Sequence, residues 1–252
     1  MEGPLFEADK PWKKFAITES LLLLPIIVTR IILFGFDHLL AAFIFYAFSM
    51  VILSISSAYI LNRDLRLIWL QEISEFNEQA RQGTKFFLIS FFTCFGVFYL
   101  LIQFSVAARE TFAFLELGVN GPLQAFSLAT LLLFLPFVEA FFWRTYVVKI
   151  SRDSFFMKLL ASVHYGFLYA FVAYYMTNLN LTATLVIGVV FFCHSRLLFL
   201  LKDNYGLVSS AQFDFGVKIS LAVSYFYIYQ QYKLLTDLPH FGVEDPILGR
   251  AL

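Results

Sequence analysis

The sequence predicts an all-α integral membrane protein, a polytopic bundle of about seven transmembrane helices. Of its 252 residues, 60% are hydrophobic and 14% are charged, whereas soluble domains average roughly 45–50% and about 25%. The mean hydropathy is +0.76, and the apolar residues fall into long blocks that each match a spanning helix of about 20 residues. A single soluble core could not bury so much apolar surface, so residues 1–252 are predicted to form one membrane domain.

The candidate spans follow one another along the whole chain. They are residues 15–36, 39–61, 86–107, 123–143, 158–177, 181–201 and 215–232. The first is the most irregular, because Pro25 would kink a helix and the charged residues Glu19 and Arg30 lie inside it. Basic residues precede it as in a secretory signal, but no cleavage pattern follows, so we expect a retained span.

The lysine and arginine residues predict the orientation of the chain. They concentrate before span one, between spans two and three, and between spans four and five, whereas the alternate connections hold few. The basic residues of these connections are Lys10, Lys13, Lys14, Arg63, Arg66, Arg81, Lys85, Arg144, Lys149, Arg152 and Lys158. Because cytoplasmic loops carry more Lys and Arg, the N-terminus is predicted to be cytoplasmic.

The connection at residues 62–83 is too polar to span a bilayer but has a helical pattern of apolar residues. Those residues are Leu65, Ile68, Trp69, Ile73, Phe76 and Ala80. An amphipathic helix between two spans is predicted to lie along the cytoplasmic membrane interface, and a partner-binding helix is the alternative.

The charge balance limits the class of partner. The formal net charge is zero and no compact basic stretch is present, so nucleic acid is not expected as a partner. The lipid bilayer is the partner that the composition itself predicts.

Ionisable residues inside the spans are the candidates for function, because a charge at membrane depth costs at least ~2.5 kcal/mol and tends to face protein or water. They are Arg30, Glu139, Arg144, His164, His194, Arg196, Asp214 and Lys218. In the predicted topology, those that share one depth near the cytoplasmic side are Glu139, His164, His194 and Asp214. Carboxylates and imidazoles are zinc ligands and acid/base catalysts, although each could instead only hydrogen-bond a neighbouring helix.

The run from Leu135 to Arg144, Leu-Pro-Phe-Val-Glu-Ala-Phe-Phe-Trp-Arg, resembles the first motif of the CPBP family of intramembrane proteases. This family is the CaaX-processing and bacteriocin-immunity group, also called Abi-like, and its motif is Glu-Glu-x-x-x-Arg with a common upstream proline. Pro136, Glu139 and Arg144 match, whereas Ala140 stands at the second glutamate. The Phe-Trp-Arg ending is similar to bacterial branches, which implies a bacterial inner membrane protein.

The later family motifs match more loosely. Leu160 to His164 fits Phe-x-x-x-His with leucine in place of phenylalanine. The motif His-x-x-x-Asn falls near Asp214 and Lys218, which would replace the histidine and the asparagine.

A second alignment of the last motif is open. His194 would then be the second histidine, with Leu198 at the asparagine position. The resemblance covers the motif-bearing core at about residues 123–220.

The resemblance implies an intramembrane metalloprotease that hydrolyses peptide bonds near the cytoplasmic membrane face. Glu139 would activate a water, His164 would orient or ligate, and Arg144 would anchor the constellation. A divalent metal such as zinc would be held by His164 with His194 or Asp214, and a metal-independent glutamate mechanism is the alternative. The substrate would be a peptide or a membrane protein.

Two alternatives to a protease remain open. Loss of one glutamate, one histidine and the asparagine is also the pattern of a catalytically inactive CPBP-like scaffold, immunity or assembly protein. A transporter component with buried charges along a path is the third hypothesis, but the paired broken helices of inverted repeats are not found in the sequence. Clustering of Glu139, His164 and either His194 or Asp214 within metal-ligand reach would favour catalysis. A Lys218–Asp214 pair that fills the pocket would favour the inactive relative.

Overall fold

The computed structural model describes residues 11–36, 38–103, 122–151, 154–176 and 181–236, and the regular structure in these ranges is helical throughout. The helices are α1 Pro11–Phe36, α2 Leu39–Ile60, α3 Leu65–Glu72, α4 Phe76–Gln103, α5 Pro122–Glu139, α6 Val147–Ile150, α7 Phe155–Met176, α8 Leu181–Tyr205 and α9 Leu207–Thr236. A π-helical segment, Ala140–Tyr146, joins α5 to α6 without a break. The all-α class is therefore confirmed for the described residues.

Among the described residues, four helices are long and apolar enough to cross a membrane, which indicates an integral membrane protein. Their apolar stretches are Phe15–Phe36, Leu39–Ile60, Phe155–Tyr175 and Thr184–Tyr205. The other predicted spans fall on α4, α5 and α9, and the count of about seven stays a prediction, as does the cytoplasmic N-terminus. Parts of these predictions lie outside the described residues, namely Lys10, Arg152, residues 104–107 and residue 177.

The π segment lies at the centre of the helix bundle. It contacts α2, α3, α7, α8 and α9. Around it, the most extensive helix contacts are those of α4 with α9, α7 with α8, and α1 with α2. Side chains on the π segment are therefore placed to meet several helices at once.

Glycines allow two pairs of helices to approach closely. A Cβ added to Gly166 of α7 would lie 2.9 Å from the carbonyl oxygen of Gly188 on α8. A Cβ on Gly216 of α9 would lie 2.6 Å from the carbonyl oxygen of Phe87 on α4. Membrane helices associate through such small residues, because lipid supplies no hydrophobic drive between them.

The single interfacial helix predicted over residues 62–83 is two helices. The first, α3, begins after Asp64, whose side chain accepts hydrogen bonds from two backbone amides of the first turn. At its end, the carbonyl of Glu72 accepts from Gln79 Nε2 at 2.9 Å, and the amide of Phe76 donates to the carbonyl of Ile73 at 3.1 Å. No residue of α3 is buried, and all of α3 is described; its placement at the membrane surface stays a prediction.

Gly206 separates α8 from α9. Its φ of 88° lies in the left-handed region that glycine adopts without penalty. Gln79 of α4 then caps the new helix, because its Oε1 accepts from the amide of Val208 at 3.0 Å and its carbonyl accepts from Ser209 Oγ at 2.6 Å. This turn fixes the start of α9, and with it the positions of Asp214 and Lys218.

Candidate functional site

Glu139 is the last residue of α5 and is completely buried. It is followed at once by the π segment, in which backbone hydrogen bonds join residues five apart. Arg144, five residues later, therefore returns to the side of Glu139, whereas the same spacing in an α-helix separates two side chains. The pair predicted from the first motif faces one site because the helix is widened there.

Four donors surround the Glu139 carboxylate. Oε1 accepts hydrogen bonds from the hydroxyls of Tyr46 at 2.9 Å and Tyr169 at 3.0 Å. Oε2 accepts from the hydroxyl of Tyr165 at 3.0 Å and from the ammonium of Lys218. A carboxylate offers about four acceptor positions, so Glu139 is fully hydrogen-bonded by three other helices.

Lys218 continues the network to a second carboxylate. Its Nζ lies 3.2 Å from Asp214 Oδ2, which also lies 3.5 Å from the guanidinium of Arg144. The other oxygen, Oδ1, lies 3.0 Å from Nε2 of His194. We call Glu139, Arg144, His194, Asp214 and Lys218 the ion cluster. With the imidazole counted as neutral, its two carboxylates balance its two cations, as buried charges require.

Burial of the ion cluster is nearly complete. The exposed fractions of Glu139, Asp214, Arg144 and Lys218 are 0%, 0%, 2% and 3%. The side chain of His194 is 12% exposed and is the member nearest the surface. The cluster therefore sits in a low-dielectric environment where each charge depends on its partners.

Aromatic side chains close the cluster on the opposite side. Trp143 Nε1 donates to the hydroxyl of Tyr46 at 2.9 Å, and both residues are buried. The ring of Phe191 stacks on Tyr169 at a centroid distance of 3.9 Å. These contacts orient the hydroxyls that donate to Glu139.

The predicted convergence in depth is found for Glu139, His194 and Asp214, which the cluster brings together. Their predicted depth near the cytoplasmic side stays a prediction, and the helix that carries Glu139 continues through the π segment to Ile150. Glu139 thus lies nearer the middle of the helical run that begins at Pro122. The ion cluster is therefore buried within the helix bundle.

His164 lies outside the ion cluster. Its Nδ1 lies 2.8 Å from the carbonyl oxygen of Leu160 on the same helix. The face of α7 that meets Glu139 carries Tyr165 and Tyr169 instead, and a neighbouring position on an α-helix is rotated by roughly 100°. Within the described residues, no hydrogen bond joins His164 to Glu139.

The predicted metal ligands do not form a metal-binding group. The described part of the chain contains no cluster of three or more His, Cys, Asp or Glu side chains that could hold a metal ion. His194 and Asp214 bond each other, while Arg144 and Lys218 place two positive charges against the carboxylates. In this arrangement the donors do not fit a divalent cation, which needs free carboxylate or imidazole lone pairs.

Sequence reasoning missed the aromatic donors. Tyr165 and Tyr169 share the four-residue spacing of Asp214 and Lys218, a spacing that places two side chains on one helix face, and this signal could have found them. Nothing in the sequence around Tyr46 distinguishes it from other apolar-block tyrosines.

No protein-family model, curated protein or solved structure matches this chain. The resemblance to the CPBP family therefore rests on the residues themselves, above all on the run from Leu135 to Arg144. What that resemblance implies about activity has to be judged from the geometry of the ion cluster.

Proposed function

We propose that this chain is a non-catalytic membrane scaffold or assembly protein, in which the position of a CPBP-like active site is occupied by a structural ion cluster. The observation that carries the proposal is the ammonium of Lys218, which bonds both Glu139 and Asp214. The family motif has asparagine at the position of this lysine.

Glu139 is poorly placed to activate a water. A general base needs a free lone pair within hydrogen-bond reach of the water whose proton it takes. The acceptor positions of Glu139 are used by three tyrosine hydroxyls and Lys218, and the residue is 0% exposed. Two cavities lie beside α2 and α3, and Glu139 does not line either of them. This geometry supports a structural role for the carboxylate.

The same contacts explain how the ion cluster would hold the helices of this chain in position. Glu139 of α5 holds Tyr46 of α2, two tyrosines of α7 and Lys218 of α9, and Asp214 adds His194 of α8. Buried polar groups of this kind select one helix arrangement, because any other would leave a charge unpaired in an apolar medium. We therefore assign the intramembrane charges to helix positioning.

We also propose which membrane holds the protein, how many times the chain spans it and on which side its N-terminus lies. The resemblance favours a bacterial inner membrane, and the basic connections favour about seven spans with a cytoplasmic N-terminus. Labelling of single cysteines introduced at exposed positions of the connections, in intact cells with an impermeant reagent, would test the orientation. Reaction of a cysteine placed at Arg81 in intact cells would contradict the cytoplasmic assignment.

The decisive experiment compares proteolysis in cells with wild-type protein and with Glu139→Gln. New peptide N-termini in the membrane proteome would be quantified by mass spectrometry at matched levels of folded protein. We expect the same set of termini in both strains and in cells without the protein. Glu78→Gln is the matched control, because Glu78 is an exposed carboxylate on α4. Termini that depend on wild-type Glu139 but not on Glu78 would overturn the proposal and establish a protease.

A further inference from the structure

A cavity of about 430 Å³ lies between α2, α3 and the junction of α5 with the π segment. Met50, Ile55, Trp69, Phe137 and Phe141 make its walls largely apolar. Its size lies within the range of small-ligand sites, which are typically apolar with a few polar groups that fix orientation. An apolar chain is the kind of ligand that such walls would accept.

A second cavity of about 450 Å³ adjoins the first at Ile55, Leu65 and Arg66, which line both. Its wall adds the charged residues Arg63 and Asp64 from the connection between α2 and α3. The Asp64 carboxylate accepts hydrogen bonds from the amides of the first α3 turn, at 2.8 and 3.3 Å. The N-terminus of α3 offsets the Asp64 carboxylate, and Arg66 contributes a guanidinium to the same wall.

Arg66 stands where the apolar and polar cavities meet. It is exposed, and its guanidinium forms no ion pair with any residue that the structure describes. A guanidinium binds phosphate through two parallel hydrogen bonds, so it is well suited to a phosphodiester. Trp69 beside it is 38% exposed and has the amphipathic ring that favours the level of lipid headgroups.

We infer that the two cavities form one binding site for an anionic glycerophospholipid. An acyl chain would occupy the apolar cavity, and the headgroup phosphate would lie at Arg66 in the polar cavity. The guanidinium of Arg66, which has no carboxylate partner among the described residues, favours an anionic headgroup over a zwitterionic one. This inference goes beyond the proposed function and does not depend on whether the ion cluster is catalytic.

The headgroup part of the inference is tested by competition between two lipids. Purified protein would be incubated with equimolar phosphatidylglycerol and phosphatidylcholine, and the retained lipids would be counted by native mass spectrometry. We expect wild-type protein to prefer phosphatidylglycerol and Arg66→Gln to lower that preference about fivefold, the effect of one basic residue near a lipid surface. Arg81→Gln, which removes an exposed arginine of α4 outside both cavities, should leave it unchanged.

The acyl-chain part is tested by filling the apolar cavity. Ile55→Phe should reduce retention of both lipids, because the larger ring would occupy the shared wall. Ile52→Phe is the matched control, since Ile52 is 57% exposed on the same helix and does not line either cavity. Equal retention of the two lipids by wild-type protein would overturn the inference, as would equal losses in Arg66→Gln and Arg81→Gln or in the two isoleucine variants.

Discussion

Lys218 and Glu139 form an ion pair between α9 and α5, with side-chain exposures of 4% and 0%. Removing two charges from water costs several kcal/mol for each ion, and their attraction offsets this cost only while both partners are present. The pair is therefore expected to control the placement of α9 against α5 more than it adds to total stability. Single and double replacement of Glu139 and Lys218 distinguishes a role in helix placement from a contribution to total stability.

We expect Lys218→Met alone to destabilise the protein by about 3–5 kcal/mol, because it leaves Glu139 charged and buried without its cation. The double variant Glu139→Gln, Lys218→Met should cost clearly less than the sum of the two single changes, since no isolated charge remains. Unfolding in mixed detergent micelles, followed by circular dichroism, would measure all three.

Lys85→Met supplies the control for loss of a lysine, because Lys85 is exposed on α4. It should leave unfolding unchanged. Additive costs of the Glu139 and Lys218 single variants would show that the two residues do not act as a pair.

The tyrosine hydroxyls on α7 provide a second test of the cluster. Tyr169→Phe removes a donor to Glu139 at 3.0 Å and should cost about 1–3 kcal/mol, the penalty for a buried acceptor that loses its partner. Tyr175→Phe makes the same chemical change on the same helix, but the buried hydroxyl of Tyr175 has no hydrogen-bond partner among the described residues. It should be neutral or stabilising, and equal effects in chemical unfolding would contradict the assigned network.

Much of the fold was predictable because apolar blocks of spanning length dominate the sequence. The predicted end of the first span and start of the second agree with the end of α1 at Phe36 and the start of α2 at Leu39. Residues 62–83 were harder, since they belong to two helices. The contact of the Gln79 side chain with the carbonyl of Glu72, where the first helix ends, leaves no signal in the periodicity. The sequence also does not indicate which helices are neighbours in the bundle. The choice of neighbours determines which charged side chains contact each other.

The candidate site was predictable only in part for the same reason. Because a charged side chain is costly to place inside a membrane, the sequence singled out Glu139, Asp214 and Lys218. These three side chains do contact one another through Lys218. Arg144 follows Glu139 by five residues, a spacing that separates two side chains on an α-helix, but the π segment turns Arg144 back towards the same site. His164 was included because histidine is a common metal ligand. The side chains of α7 that contact Glu139 are instead Tyr165 and Tyr169.

Close packing of α7 on α8 depends on Gly166. Gly166→Ala would place a Cβ 2.9 Å from a backbone carbonyl of α8, which cannot move without shifting the helix. We expect a loss of about 1–3 kcal/mol, the usual cost of overpacking. Gly96→Ala adds the same methyl group to α4 where nothing lies within 4 Å, so it should be neutral or slightly stabilising. Thermal unfolding of the two variants in detergent would compare them, and equal midpoints would contradict the close contact.

Replacement of the two histidines of the predicted metal site should lower the stability of the protein by different amounts. His194→Ala removes the partner of Asp214 Oδ1, 3.0 Å away, and should cost about 1.5–3 kcal/mol, as for a hydrogen bond to a charged group. His164→Ala removes only a contact to a carbonyl of its own helix and should cost less than about 1 kcal/mol. Thermal unfolding and bound divalent metal would be measured on both variants and on wild-type protein. Stoichiometric metal that is lost in His164→Ala would contradict the ion cluster and restore the metalloprotease, whereas a stability loss confined to His194→Ala would identify His194 as part of a structural network.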